Sequence, residues 1–156
     1  MCIRDRFTCL KRCVTFPIAL LFLVAAGLSG CAAHAQSVAL QAGFMPDPYT
    51  STLSAGGGVH FDAMGGCPGG GWVADPPSFD LQYTAGQYPL SIYVRSQGDT
   101  LLYIRGPGSE EYCNDDSDGL DPVVRLGTPN SGRYTIWVGT YSQSPVPSAT
   151  LYISER

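Results

Sequence analysis

Apolar and polar residues alternate with a period of two at several places along the second half of the chain. Leu90, Ile92 and Val94 share one face of LSIYV, and Leu102 and Ile104 do so in TLLYI. Tyr134, Ile136 and Val138 repeat the pattern in RYTIWV, as do Leu151 and Ile153 in TLYIS. A period of two with one apolar face predicts antiparallel strands that cover a core. Residues 78–83 and 122–126 form shorter runs of the same kind, and 38–44 and 59–63 carry weaker ones. Gly, Pro, Asn and Asp separate these runs, and no segment after residue 35 shows a helical period. Seven to eight short strands with turn signals between them predict an all-β chain, an antiparallel β-sandwich.

Phases within the strands single out a few side chains. Trp137 lies out of step with Ile136 and Val138, so it faces away from the main stripe. It is either a sugar-stacking platform or part of a second covered face, and Trp72 invites the same pair of readings. Ala85-Gly86-Gln87-Tyr88 and Ser131-Gly132-Arg133-Tyr134 echo one another, each opening a strand. Gly supplies the turn there, and the tyrosine hydroxyl is placed to tie back to a loop. The glycines between 56 and 71 lack the strand-then-helix setting of a phosphate loop and read as loop punctuation.

The first 35 residues have a different character. FPIALLFLVAAGLSG, preceded by Lys11 and Arg12, has the charged and apolar regions of a secretory signal and is short for a membrane span. Two cleavage patterns follow it. Leu28-Ser29-Gly30-Cys31 matches a lipobox, which would lipidate Cys31; Ala33-His34-Ala35 is an A-x-A site, which would release a soluble protein. Both place the product outside the cytoplasm, as a periplasmic or outer-membrane lipoprotein or a secreted protein. A membrane is then touched only through a lipid anchor at Cys31. MCIRDR resembles translated sequencing-adapter sequence, so Cys2, Cys9 and Cys13 carry no functional expectation.

Residues 36–156 are expected to form a single domain, a length that can bury its own core. Five Arg and no Lys against nine Asp and three Glu leave that domain a net charge of −7. Nucleic-acid binding through phosphates needs a basic footprint and is excluded on charge. Proteins and glycans remain as partners. Cys67 and Cys113 are the cysteines beyond the leader and read as one disulfide, with a metal site disfavoured by the lack of Cys-x-x-Cys spacing.

Residues 110–122 hold six carboxylates, an Asn and a Cys in thirteen positions with no cation among them. Such density is relieved either by a hard cation or by solvation. Asn114, Asp116 and Asp118, followed by Gly119, have the spacing that opens a calcium loop, because alternate residues of a curling chain point to its centre. Asp121, Asp115 or a backbone carbonyl would complete the shell. An EF-hand is excluded, since Arg125 stands where the bidentate Glu is required. The competing reading is a set of Asx-turns with acids in water.

Four segments, GDTLLYIRGPG, EYCNDDSDGLDP, SGRYTIWVGTYS and ATLYISE, resemble in order and spacing the bacterial pre-peptidase C-terminal domain family, in its stand-alone form. GFMPDP and the surroundings of Cys67 extend the likeness over nearly all of residues 36–156. The resemblance implies a jelly-roll-like sandwich appended to secreted peptidases, itself not catalytic, with calcium held by some relatives. The usual arrangement attaches a peptidase domain, and residues 36–156 are expected to hold none. These residues independently suggest no catalyst: His60 has no recognisable partner, and no G-x-S-x-G or H-E-x-x-H occurs. Asp47, between two prolines, and Asp99, before a strand, read as a turn former and a turn cap.

Overall fold

The computed structural model describes residues 35–62 and 67–156; the leader, its lipobox and Cys31 lie outside the described residues. Eleven strands build the domain, with no helix among the described residues. They are β1 (Gln36–Gln41), β2 (Tyr49–Ala55), β3 (Val59–Phe61), β4 (Gly71–Val73), β5 (Phe79–Thr84), β6 (Leu90–Ser96), β7 (Thr100–Arg105), β8 (Glu111–Asn114), β9 (Val123–Leu126), β10 (Gly132–Thr140) and β11 (Val146–Ser154). Seven strands form one sheet and four form the other, in the order β2-β11-β6-β9. The chain changes sheets at β1–β2, β2–β3, β5–β6, β6–β7, β8–β9, β9–β10 and β10–β11, the crossing connections of a sandwich rather than a run of hairpins.

The hub of the larger sheet is β10. Residues 132–136 pair with β5, residues 135–140 pair with β7 on the opposite edge, and Thr140 meets Trp72 of β4. Gly139 makes that last junction feasible, because a Cβ there would lie 2.7 Å from the carbonyl oxygen of Trp72 and from Leu101. One pairing departs from the expected antiparallel pattern: β1 runs parallel to β5 along the sheet edge. Period-two alternation is the same in both senses, so the pattern carries no sign of it.

Between the sheets lies the main core. Phe79, Leu81 and Tyr83 of β5, Leu102 and Ile104 of β7 and Tyr134, Ile136 and Val138 of β10 face Ile92, Val94, Leu151 and Ile153 of the smaller sheet. A second cluster forms on the far side of the larger sheet, where Leu101, Tyr103, Val73, Cys67 and Cys113 are buried and Phe61 and Trp137 pack on. Both faces of β7 are therefore covered. The predicted strands appear where the alternation placed them, with small differences of extent. β2, β4 and β8 are additional, which makes eleven in place of seven or eight. Ala63, at the end of one predicted strand, lies outside the described residues.

Candidate functional site

The acidic stretch is not one loop. Its first part is β8, hydrogen-bonded antiparallel to β7, and only residues 115–122 connect, carrying the chain from the larger sheet to the smaller. Asp118 and Asp121 close a tight turn on each other's backbone, with Gly119 at φ +68° where a side chain would be strained. The carboxylates are then shared among different partners. Asp118 Oδ2 accepts from Arg95 Nη2 at 2.7 Å, and Asp121 Oδ2 from Arg95 Nη1 at 3.1 Å. Asp121 Oδ1 also accepts from the Ser96 amide at 3.1 Å. Glu111 takes the Tyr103 hydroxyl at 2.6 Å and Arg105 at 3.2 Å, and these donors hold its carboxyl below the ordinary range, the Tyr103 hydroxyl foremost. Glu110 accepts from the Gly108 amide at 2.8 Å.

Asn114 is likewise engaged. Its Oδ1 accepts from Ser117 Oγ and from the Val123 amide, each at 2.8 Å, so it caps the turn into β9. Asp115 and Asp116 complete the set expected for calcium. They sit close to Asp99, whose carboxyl is pushed up first by burial and then by the charges of Asp116 and Asp115. Among the described residues no three His, Cys, Asp or Glu side chains converge in a metal-holding group. Arg95, 23 residues before Asp118 in the chain, is the side chain the local pattern did not reveal.

Arg95 also belongs to a second surface. On the outer face of the smaller sheet, the register sets Thr50, Tyr152, Tyr93 and Val123 side by side across β2, β11, β6 and β9. The two tyrosine rings stack at 4.8 Å with an interplanar angle of 1°, and the Arg95 guanidinium lies 5.6 Å from the Tyr93 ring. Ser91 pairs with Arg125 in the adjacent row. A shallow cleft of about 160 Å³ opens here, bordered by Tyr93 and by Arg95, Arg125 and Arg156. Three of the five arginines of residues 36–156 thus meet at one face of an otherwise acidic domain. Arg95 is neutralised by Asp118 and Asp121, and Arg156 by Asp47 at 3.3 Å. Arg125 has no ion-pair partner among the described residues.

Trp137 takes the second of its two predicted roles. It stacks on Tyr103 at 5.0 Å, Tyr103 stacks on Phe61 at 5.6 Å, and all three lean on the Cys67–Cys113 bridge. Trp72 contacts His60 edge-on at 5.0 Å. The tyrosine echo is resolved in the same way: Tyr134 is buried and its hydroxyl donates to the Asn130 carbonyl at 2.7 Å, whereas Tyr88 is exposed. Asp99 stands among the charges of Asp115 and Asp116, and Asp47 is more than a turn former, being buried against Arg156.

The features together define a disulfide-pinned β-sandwich that displays side chains from rigid strands, and a disulfide of this kind belongs to an oxidising compartment outside the cytoplasm. No family model matches the chain, and no curated protein matches it. Among solved structures it is similar to PliG of Aeromonas hydrophila, a periplasmic inhibitor of g-type lysozyme, at 15% identity and a TM-score of 0.34 over 78% of this chain and 98% of that one. A likeness of that degree gives no information on what this chain binds.

Proposed function

We propose that the chain is a non-catalytic, extracytoplasmic binding module whose ligand face is the outer surface of the four-stranded sheet. The observation that carries this reading is the stacked Tyr93–Tyr152 pair beside Arg125, held on three adjacent strands. Rigid strands hold these side chains in place before a ligand arrives, which lowers the entropy lost on binding. Tyrosine offers an apolar ring and a hydroxyl together, the combination that suits a saccharide, and Arg125 adds a donor for a ligand hydroxyl or carboxylate. Arg133, by contrast, grips Asp80 through two bonds of 2.9 and 2.6 Å. Titration with cell-envelope oligosaccharides should shift the amide resonances of β6, β9 and β11. Tyr152→Ala should weaken binding about tenfold while leaving the fold intact. Saturable binding unaffected by Tyr152→Ala and Arg125→Ala would place the ligand elsewhere.

The proposal includes membership of the pre-peptidase C-terminal domain family in its stand-alone form. It is supported by the position of the resembling segments, which form β7, β8 with its following turn, β10 and β11 of one sandwich. Attachment to the envelope through Cys31 is the corresponding reading of the leader.

For the acidic turn we propose that calcium competes with Arg95. Asp118 and Asp121 are the carboxylates that both a cation and the guanidinium would use, and Asp115, Asp116 and Asp99 crowd nearby. Arg95→Met should therefore lower stability by about 1 kcal/mol in the absence of calcium, a modest figure because the pair is partly solvated. It should also enlarge the rise in melting temperature produced by millimolar calcium. Equal calcium responses in Arg95→Met and the unmodified chain would refute the competition.

A further inference from the structure

Asp47 is the one charged side chain of the described residues whose surroundings ask for something the fold does not supply. Its side chain is 8% exposed, Oδ2 lies 3.3 Å from Arg156 Nε, and Oδ1 is buried with no hydrogen-bond partner. A carboxylate oxygen without a donor forfeits the bonds it makes in water, so a group that brings a donor to it gains free energy. Asp47 lines an open cleft of about 210 Å³ with Gly43, Met45, Tyr88, Glu155 and Arg156. The volume is below that of drug-sized sites and suits a single extended side chain.

The lining fixes the chemistry of that side chain. Glu155 already accepts from the Tyr83 hydroxyl at 2.7 Å and from the Gly43 amide at 2.8 Å, so both of its oxygens are occupied. Two carboxylates against one guanidinium leave the cleft with a charge of −1, within a domain that is acidic as a whole. The cleft therefore favours a cation. Its rim is apolar: Met45 is 78% exposed and Tyr88 is 53% exposed, and these are two of the five large hydrophobic side chains that face solvent among the described residues. An ammonium on an aliphatic stem satisfies both conditions, since the stem covers Met45 and Tyr88 and the charge reaches Asp47. A second guanidinium fits less well, because its fork calls for two free coplanar oxygens and Oδ2 already faces Arg156. Arg156 itself is 76% exposed and can swing aside at small cost.

We infer that this cleft is a docking site for a lysine side chain presented by a protein partner beside an apolar residue, with Asp47 as the anchor. The inference goes beyond the saccharide face and stands independently of it. Asp47 acts as the acceptor, Met45 and Tyr88 hold the stem, and the acidic surface steers a basic partner towards it.

The test is a titration of the isotopically labelled protein with the peptide acetyl-Leu-Lys-Leu-amide. The expected result is a saturable shift centred on the amides of Gly43, Met45, Tyr88 and Glu155. The same peptide with norleucine in place of lysine should produce no saturation. Asp47→Asn should weaken binding on the order of tenfold or more, the effect of losing a charged acceptor. Met45→Ala and Tyr88→Ala, both on exposed side chains, should weaken it several-fold with an unchanged melting temperature, and they decide the matter if Asp47→Asn fails to fold. Equal binding of the norleucine peptide, or a native affinity in Met45→Ala and Tyr88→Ala, overturns the inference. Oligosaccharide binding at Tyr152 with no peptide response at Gly43 overturns it too, while leaving the saccharide reading in place.

Discussion

Replacing Cys67 and Cys113 together by Ala should lower stability by about 2–4 kcal/mol and the melting temperature by on the order of 10 °C. The bridge joins positions 46 apart, so the open chain gains substantial freedom. Its place in the fold adds a second loss. Both sulfurs lie inside the outer cluster, under the residues that hold β3 and β4 against the larger sheet. Those strands are three residues each, and β4 meets β10 at a single paired position. Without the bridge the Phe61–Tyr103–Trp137 stack loses its support, and Trp137 becomes wetted. A red shift of tryptophan emission that precedes the global transition is the expected signature. A double variant that melts within about 2 °C of the unmodified protein would show that the outer cluster holds without the cystine.

Alkaline pH should destabilise the domain more steeply than its surface charge alone would. Burial is the first cause that raises the phenol groups of Tyr83, Tyr134, Tyr103 and Tyr93 above the ordinary value of 10.0, and hydrogen bonding to Glu155 raises Tyr83 further. A raised folded-state value favours the protonated, neutral form. Below the unfolded value near 10 both states hold the proton and this contribution is complete. Above it the unfolded chain releases protons that the folded chain retains, so stability falls as pH rises. A tenfold difference in proton affinity between the two states corresponds to about 1.4 kcal/mol. Urea midpoints measured from about pH 8 to 12 should decline steeply above 10. Tyr83→Phe should flatten that decline while costing about 1–2 kcal/mol at neutral pH, where Glu155 loses one of its two donors. A Tyr83→Phe curve parallel to that of the unmodified chain would remove Tyr83 from the account.

Period-two alternation made much of the sandwich legible, because β6, β7, β10 and β11 each carry their apolar face in the sequence itself. β2 was obscured because TSTLSA is mostly hydroxyl-bearing and sends only Leu53 and Ala55 inward. β4 is three residues among glycines, and β8 was concealed by the acidity that marked its surroundings. The site was legible in location and not in role. Six carboxylates close in sequence signalled repulsion, but the partners that relieve it, Arg95 and Arg105, come from β6 and β7. The same holds for Asp47 and Arg156, which are far apart in the chain and paired in space. No local spacing encodes contacts of that kind.

The smaller sheet also sets an order of events. β11 lies between β2 and β6, and it is the last of the eleven strands to be synthesised. Until residues 146–154 have emerged, β2 and β6 each present a row of unpaired amides and carbonyls, with half of the main core unroofed. An exposed edge of that kind invites pairing with another chain. The folding domain is therefore most vulnerable until β11 takes its place, and a holding factor that releases the chain only once residues 146–154 are available would protect it.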